Sequence, residues 1–245
     1  MNDSAALGPV HAQAERVARS VSETLEGIFT ELVALSDIAT GALGSGGTER
    51  AGDALRRPLE HSCRALLAQD RGSALSGAGF AADYGRVAPA HLWMAWWVRR
   101  DGVVREKRHT LNPESDAFYD YRHAAWFDIP RTAGARAVVG PYIDSWGTDD
   151  FTITASAPVV VDDEFIGVVA ADLAVRQMEI AISRQLRAID APAVLVNSED
   201  RVVASGVPEL TTGLRLSPRA GGETRRSELA RHDAAYGWSV VLLSR

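Results

Sequence analysis

The feature that most restricts what this chain can fold into is a pair of β-type runs within residues 140–172, GPYIDSWGTDDFTITASAPVVVDDEFIGVVAAD. The first run, 151–161, is rich in Thr, Ile and Val, and the second, 165–171, is almost wholly apolar. Only Asp162, Asp163 and Glu164 separate them. So short a link suits an antiparallel hairpin, because a parallel pair needs a crossover of roughly a dozen residues or more. The second run ends on Asp172, a carboxylate directly after residues that read as buried, and a turn carrying Tyr142, Asp144 and Trp146 precedes the first. Carboxylates beside aromatic rings suit a cation. The carboxylates supply charge and acceptors, while ring faces attract the cation and keep water away.

The rest of the chain arranges itself around that hairpin. A long helix is predicted over 10–42, where Val17, Val21, Leu25, Ile28, Leu32 and Leu35 recur at spacings of four and three and so share a face. Such a seam serves either packing on the chain's own domain, favoured for its C-terminal half, or a coiled-coil-like contact between copies. Because the seam is long for the domain it has to cover, a homodimer through this helix is expected. The glycine-rich run 41–52 breaks the helix, and it lacks the preceding strand and the following Gly-Lys-Ser/Thr of a phosphate loop. A second helix is predicted over 52–69, with Leu55, Leu59, Cys63, Leu66 and Leu67 inward. Residues 70–90, rich in Gly, Ala and Ser, read as irregular.

Strands at 91–99 and 102–110 meet at Asp101-Gly102, a hairpin dipeptide. On the first of them Trp93 and Trp97 take one face and Trp96 the other. Residues 111–139 show no strand pattern but crowd Phe118, Tyr119, Tyr121, Trp126 and Phe127 among Asp120, Arg122, His123 and Asp128. That is the composition of a segment that either binds a ligand or plugs the top of a sheet. A helix at 175–189 and four short strands at 193–197, 201–204, 227–232 and 236–243 complete the reading. The fold class expected is α+β: a long N-terminal helix, an antiparallel sheet over about 90–172 and a smaller sheet over about 190–245. As domains these are a helical region 1–88, a ligand-binding module 89–189 and a second module 190–245.

Several function classes are disfavoured by what is absent. The net charge of −6 offers no overall basic surface for nucleic acid. Cys63 is the only cysteine, which excludes an intrachain disulfide and a cysteine-built zinc site. No His-Glu-x-x-His helix, Gly-x-Ser-x-Gly elbow or dinucleotide fingerprint occurs, and no cofactor or metal is expected. The histidines at 11, 61, 91, 109, 123 and 232 are scattered. His123 with Asp120 or Asp128 could form an acid–base pair, but no nucleophile accompanies it. No run approaches the roughly 18 apolar residues of a membrane span, and the N-terminus lacks a basic start followed by an apolar core. A cytoplasmic location without membrane contact is therefore expected.

The residues Trp126-Phe127, Gly140-Pro141-Tyr142-Ile143-Asp144, Thr152-Ile153-Thr154, Pro158-Val159 and Gly167-Val168-Val169-Ala170-Ala171-Asp172 occur in a telling order. Together with the order of the elements, they make the chain resemble a double Cache sensor domain, a bacterial ligand-binding module built from two PAS-like sheets. The resemblance covers residues 90–180 well and the flanks by pattern. It implies a non-catalytic sensor for a small amine or amino acid that signals through a regulatory protein partner. By position, Trp126, Tyr142 and Tyr119 would shape the pocket, and Asp144 and Asp172 would receive the ligand ammonium. Tyr121 and Arg122 are further candidate ligand-binding residues of the same segment.

In the amino-acid subtype an arginine two residues before the tryptophan holds the ligand carboxylate. Here that position is Ala124, and Arg122, four before Trp126, is the candidate substitute. The departure favours an amine, or a ligand whose carboxylate is met differently. A small-carboxylate sensor of the same fold and an enzyme using His123 with nearby carboxylates are the alternatives. Such domains usually sit outside the membrane between two membrane helices, neither of which is in this sequence, so a free-standing cytoplasmic sensor is expected. Without the resemblance, Asp144 reads as a turn cap and Asp172 as the N-cap of the following helix.

Overall fold

The computed structural model describes residues 3–43, 51–68, 75–89, 91–143, 151–216 and 227–244. The chain divides into two compact units. The larger comprises Gly27–Val139 and Ile143–Ala174, and the smaller comprises Met1–Glu26, Gly140–Tyr142 and Val175–Arg245. The first helix, α1 (Asp3–Leu43), supplies residues to both.

In the larger unit, α2 (Ala51–Ala68) precedes β1 (Leu75–Ala82), β2 (Trp93–Arg100) and β3 (Val103–Lys107). A short 3-10 turn, Tyr121–His123, and α3 (Ala125–Ala133) then lead to β4 (Ala137–Ile143), β5 (Phe151–Val161) and β6 (Glu164–Ala174). The six strands stand in the order β3-β2-β1-β6-β5-β4, and the pairs from β3 to β5 are antiparallel. Both expected hairpins form. Asp162 and Asp163 between β5 and β6 have φ of 51° and 63°, and Asp101 and Gly102 between β2 and β3 have 51° and 75°. Two left-handed residues in succession make the turn whose twist matches that of paired strands, and aspartate adopts that conformation more readily than most side chains.

Three stretches differ from the sequence reading. Residues 75–82, read as irregular, form the strand β1 between β2 and β6. Its sequence LSGAGFAA lacks β-branched residues, which hid it from a propensity reading, and at its glycines the neighbouring strands leave no room for a side chain. A Cβ on Gly79 would stand 2.2 Å from the Ala95 carbonyl oxygen and 2.7 Å from the Trp96 ring. Residues 125–133, read as part of an irregular segment, form α3, which buries Trp126, Phe127 and Pro130 and ends on the left-handed Gly134. At nine residues, with Pro130 inside, it is too short to show a helical period. Residues 137–139, read as lacking a strand pattern, and 140–143, read as a turn, together form the edge strand β4.

The sheet has two differently used faces. Phe80, Trp93 and Trp97 point to the side covered by α2, where the Arg56 guanidinium lies 5.5 Å from the Trp93 ring centre. Gly77, Trp96, Thr154 and Asp172 point to the other side, as the alternation of the strands requires. There Ser156 Oγ donates to the Trp126 carbonyl at 2.6 Å and holds α3 over the sheet.

The smaller unit contains α4 (Val175–Arg187) and the antiparallel strands β7 (Ala193–Val196), β8 (Val202–Ser205), β9 (Glu228–Asp233) and β10 (Ser239–Leu243) in the order β8-β7-β10-β9. Val194, Val196, Val202, Val207, Leu210, Val241 and Leu243 form its core. The N-terminal part of α1 is tied to this unit by Gln13 Nε2 donating to Asp190 at 2.8 Å and by the Ala235 amide donating to Ser22 at 2.9 Å. The helical seam, Val17, Val21, Leu25, Ile28, Leu32 and Leu35, is buried within the chain. The stripe that suggested a homodimer is therefore consumed by intramolecular packing.

Candidate functional site

Asp172 lies inside β6, in register with Thr154 on β5 and Gly77 on β1. The run of apolar residues before it carries its carboxylate into the interior, where it is 7% exposed. A carboxylate so placed must be met by donors or cations, since water no longer serves it. Thr154 Oγ1 donates to Asp172 Oδ1 at 2.7 Å. The side chain is thus engaged across the sheet, while α4 begins three residues later. Gly77 packs closely against it. A Cβ there would lie 2.9 Å from Asp172 Oδ2 and 3.0 Å from Trp96 Nε1, so both side chains lean over this glycine.

Aromatic rings enclose the region. The Trp96 and Trp126 ring centres are 6.1 Å apart, those of Trp126 and Tyr121 6.1 Å, and those of Tyr121 and Tyr119 6.0 Å. Tyr121 is fully buried, with its hydroxyl 2.5 Å from the Ala82 carbonyl and 3.0 Å from that of Trp93. Burial pushes its phenol well above the ordinary range. It bolts the segment before α3 to the ends of β1 and β2. Tyr119 is half-buried, and its ring lies 5.1 Å from that of His109. Burial first, and the charge of Lys107 second, lower the His109 pKa to about 4.

Arg122 lies in a bidentate pair. Its Nε donates to Asp120 Oδ1 at 2.8 Å and its Nη2 to Asp120 Oδ2 at 2.7 Å, with the guanidinium 5.7 Å from the Tyr84 ring centre. The hydrogen bonds from Arg122 hold the Asp120 carboxyl below the usual carboxylate range. His123 is 84% exposed and lies 3.6 Å from the same carboxylate, so an acid–base pair there would use an oxygen already bound to Arg122. Ala124 links the 3-10 turn to α3 and offers only a methyl group. Tyr142 stands half-buried on β4, in the short piece that groups with the smaller unit. Asp144 and Trp146 lie outside the described residues. Among the described residues, no group of three or more His, Cys, Asp or Glu side chains is placed to hold a metal ion.

Sequence reading singled out Asp172 and Trp126 but assigned no site role to Trp96, Thr154 or Gly77. Alternation had put Trp96 on the face opposite Trp93 and Trp97, and that was its one signal. Gly77 gave none, because its strand was not legible.

Residues 94–180 match the family model of the methyl-accepting chemotaxis protein-like, first PDC sensor domain. The fold is of the double-Cache, PDC-like type. The extracellular domain of mmHK1S-Z3, assigned as a histidine kinase, superposes with a TM-score of 0.70 at 16% identity over 99% of this chain and 95% of its own. The ligand-binding domain of the Pseudomonas fluorescens chemoreceptor CtaA, solved with L-valine, gives 0.56 at 15% identity over 96% and 94%. That of the Pseudomonas aeruginosa PAO1 amino acid chemoreceptor PctC, solved with GABA, gives 0.53 at 18% identity over 95% and 96%. No curated protein sequence matches the chain.

These likenesses overturn the expected cytoplasmic location and the exclusion of a membrane setting, because structures of this fold include extracellular domains of proteins assigned as histidine kinases. Among the described residues no helix is long and apolar enough to cross a membrane. That observation does not report on compartment, since a domain held outside a membrane contains no spanning segment within itself.

Proposed function

We propose that this chain is a non-catalytic sensor module that binds a small amine or amino acid on the Asp172 face of its larger sheet. The observation that carries the reading is the buried Asp172 carboxylate, packed over Gly77 on a sheet face that also bears Trp96 and Trp126. A carboxylate in that setting gains more from a cation than one in water, and an ammonium with its carbon attached also satisfies the neighbouring rings. Asp172 receives the ammonium, and Trp126 and Tyr119 shape the wall. Tyr121 acts by holding that wall in place. Arg122 reaches a ligand only by leaving Asp120. The resemblance adds Tyr142 and Asp144 to the set. The L-valine and GABA complexes of CtaA and PctC support an amine-bearing ligand for this fold. The module acts outside the cytoplasm and passes its state to a signalling partner.

The test is calorimetric titration and thermal shift with amines and amino acids on the wild type and on Asp172→Ala. Removing one member of a buried charge pair costs roughly 2–5 kcal/mol, so affinity should fall by about 30-fold or more while the protein still folds. A ligand at 100 times its Kd should stabilise the wild type by about 2.7 kcal/mol and the variant by little. Equal binding by the two proteins would remove Asp172 from the site. Turnover of the compound would instead favour the enzymatic alternative at His123.

A further inference from the structure

We propose that His11 and His232, which meet in the smaller unit, form a two-imidazole site for a divalent cation of the zinc, nickel and copper class. The inference is independent of the reading of the Asp172 face. His11 lies on α1 and His232 on β9, in register with Val240 of β10. The two residues are 221 positions apart in sequence, yet His11 Nδ1 stands 3.1 Å from His232 Nε2. The ring centres are 5.1 Å apart and the planes are inclined at 60°, so the rings meet through these nitrogens and do not stack. The His232 side chain is 11% exposed, and Glu15 Oε1, one helical turn after His11, lies 3.8 Å from its Nδ1.

The spacing makes the case. Two nitrogens that each bind a cation at about 2.0–2.1 Å stand about 2.9 Å apart at a right angle and about 3.3 Å apart at a tetrahedral one. The separation of 3.1 Å lies between these, so a cation is shared with only a small movement of either ring. Imidazole nitrogen is a ligand that this class of cation favours, whereas magnesium and calcium prefer oxygen. The Glu15 carboxylate favours the proton on His232 Nδ1, which leaves Nε2 as acceptor and His11 Nδ1 as donor. When a cation enters, the His11 proton moves to Nε2 of its own ring. Both facing nitrogens then offer lone pairs, and the neutral pair releases no net proton. Glu15 stands behind His232 as carboxylates stand behind many metal-bound histidines. No third His, Cys, Asp or Glu completes the set among the described residues, so water fills the remaining positions and binding is weaker than at a closed four-ligand site. A cation held here cross-links α1 to β9 and gives the module a second chemical input.

The experiment is calorimetric titration of the full chain, free of any polyhistidine tag, with zinc chloride, copper sulfate and magnesium chloride at neutral pH. The wild type should bind one zinc ion per chain, copper more tightly, and magnesium not at all. His11→Gln and His232→Gln should each weaken zinc binding by at least the roughly tenfold to hundredfold that loss of a supporting partner costs, and Glu15→Gln by about tenfold. Zinc should raise the melting temperature of the wild type and leave that of either histidine variant unchanged. No binding of zinc or copper by the wild type would overturn the proposal. So would a loss confined to one histidine variant, which marks a lone imidazole, or equal affinity in both variants, which places the cation elsewhere. If a variant does not fold, nitrogen NMR of the wild-type imidazoles decides alone. Zinc should shift His11 Nδ1 and His232 Nε2 together, and shifts confined to other histidines refute the site.

Discussion

His109 shows how a single residue outside the ligand-contacting set couples the larger unit to pH. Its ring is half-buried against Tyr119, and its pKa falls from an ordinary 6.5 to about 4 because burial, then the Lys107 charge, disfavour the imidazolium. Between those values the unfolded chain binds more protons than the folded one, so stability is present above pH 6.5 and is lost as pH falls toward 4. His109→Phe keeps the ring contact and removes the proton site. The difference in melting temperature between wild type and variant should be constant above pH 7 and should shift against the wild type on acidification through this window. Parallel melting curves from pH 7 to 4 would show that His109 does not carry the effect. Asp172 differs in kind, because its importance comes from strand register and burial, with Thr154 and Gly77 opposite.

Among the elements, β1 controls the site most and is the one the sequence concealed. The small residues of LSGAGFAA let β2 and β6 close around it, and the bare Gly77 lets the Asp172 and Trp96 side chains pack over the strand. Gly79→Ala would drive a Cβ into the Ala95 carbonyl, which is backbone and cannot rotate away. Overpacking of this kind costs about 1–3 kcal/mol and more where backbone must move. Urea unfolding of this variant should show a lower midpoint and an unfolding free energy reduced by about that amount, and a wild-type midpoint would mean that the strands are less tightly apposed than described. The hairpins behave oppositely. Asp101-Gly102 and Asp162-Asp163 are local signals, and their left-handed turns were readable because nothing distant decides them.

For the molecule as a whole, the long apolar seam of α1 is the instructive case. Its period predicted a helix and one buried face correctly. The period does not name what lies against the face, and the chain's own two units take it up. Deleting residues 1–26 should therefore strip a covering helix from the smaller unit. Hydrogen exchange should show the amides of β7 and β10 losing protection, with loss of the contacts that Gln13 and Ser22 make. Retained protection there would mean that the four-stranded sheet is stable without the helix.

What the sequence determined by itself was whatever rests on local rules: α1 and α2, the two tight hairpins, the alternation that separates Trp96 from Trp93 and Trp97, and Asp172 at the end of an apolar run. The order of these pieces was also enough to make the double-Cache resemblance visible. What only the tertiary structure decided was whatever depends on partners far along the chain. Glycines at 77 and 79 belong to a strand because β2 and β6 press on it from both sides. Arg122 is held by Asp120, and Trp96 leans toward Asp172, 76 residues away in sequence, because the register of β1, β2 and β6 brings them over one glycine. Hydrophobic period and turn chemistry act over a few residues, whereas a strand's neighbours and the space above one of its glycines are set by long-range pairing.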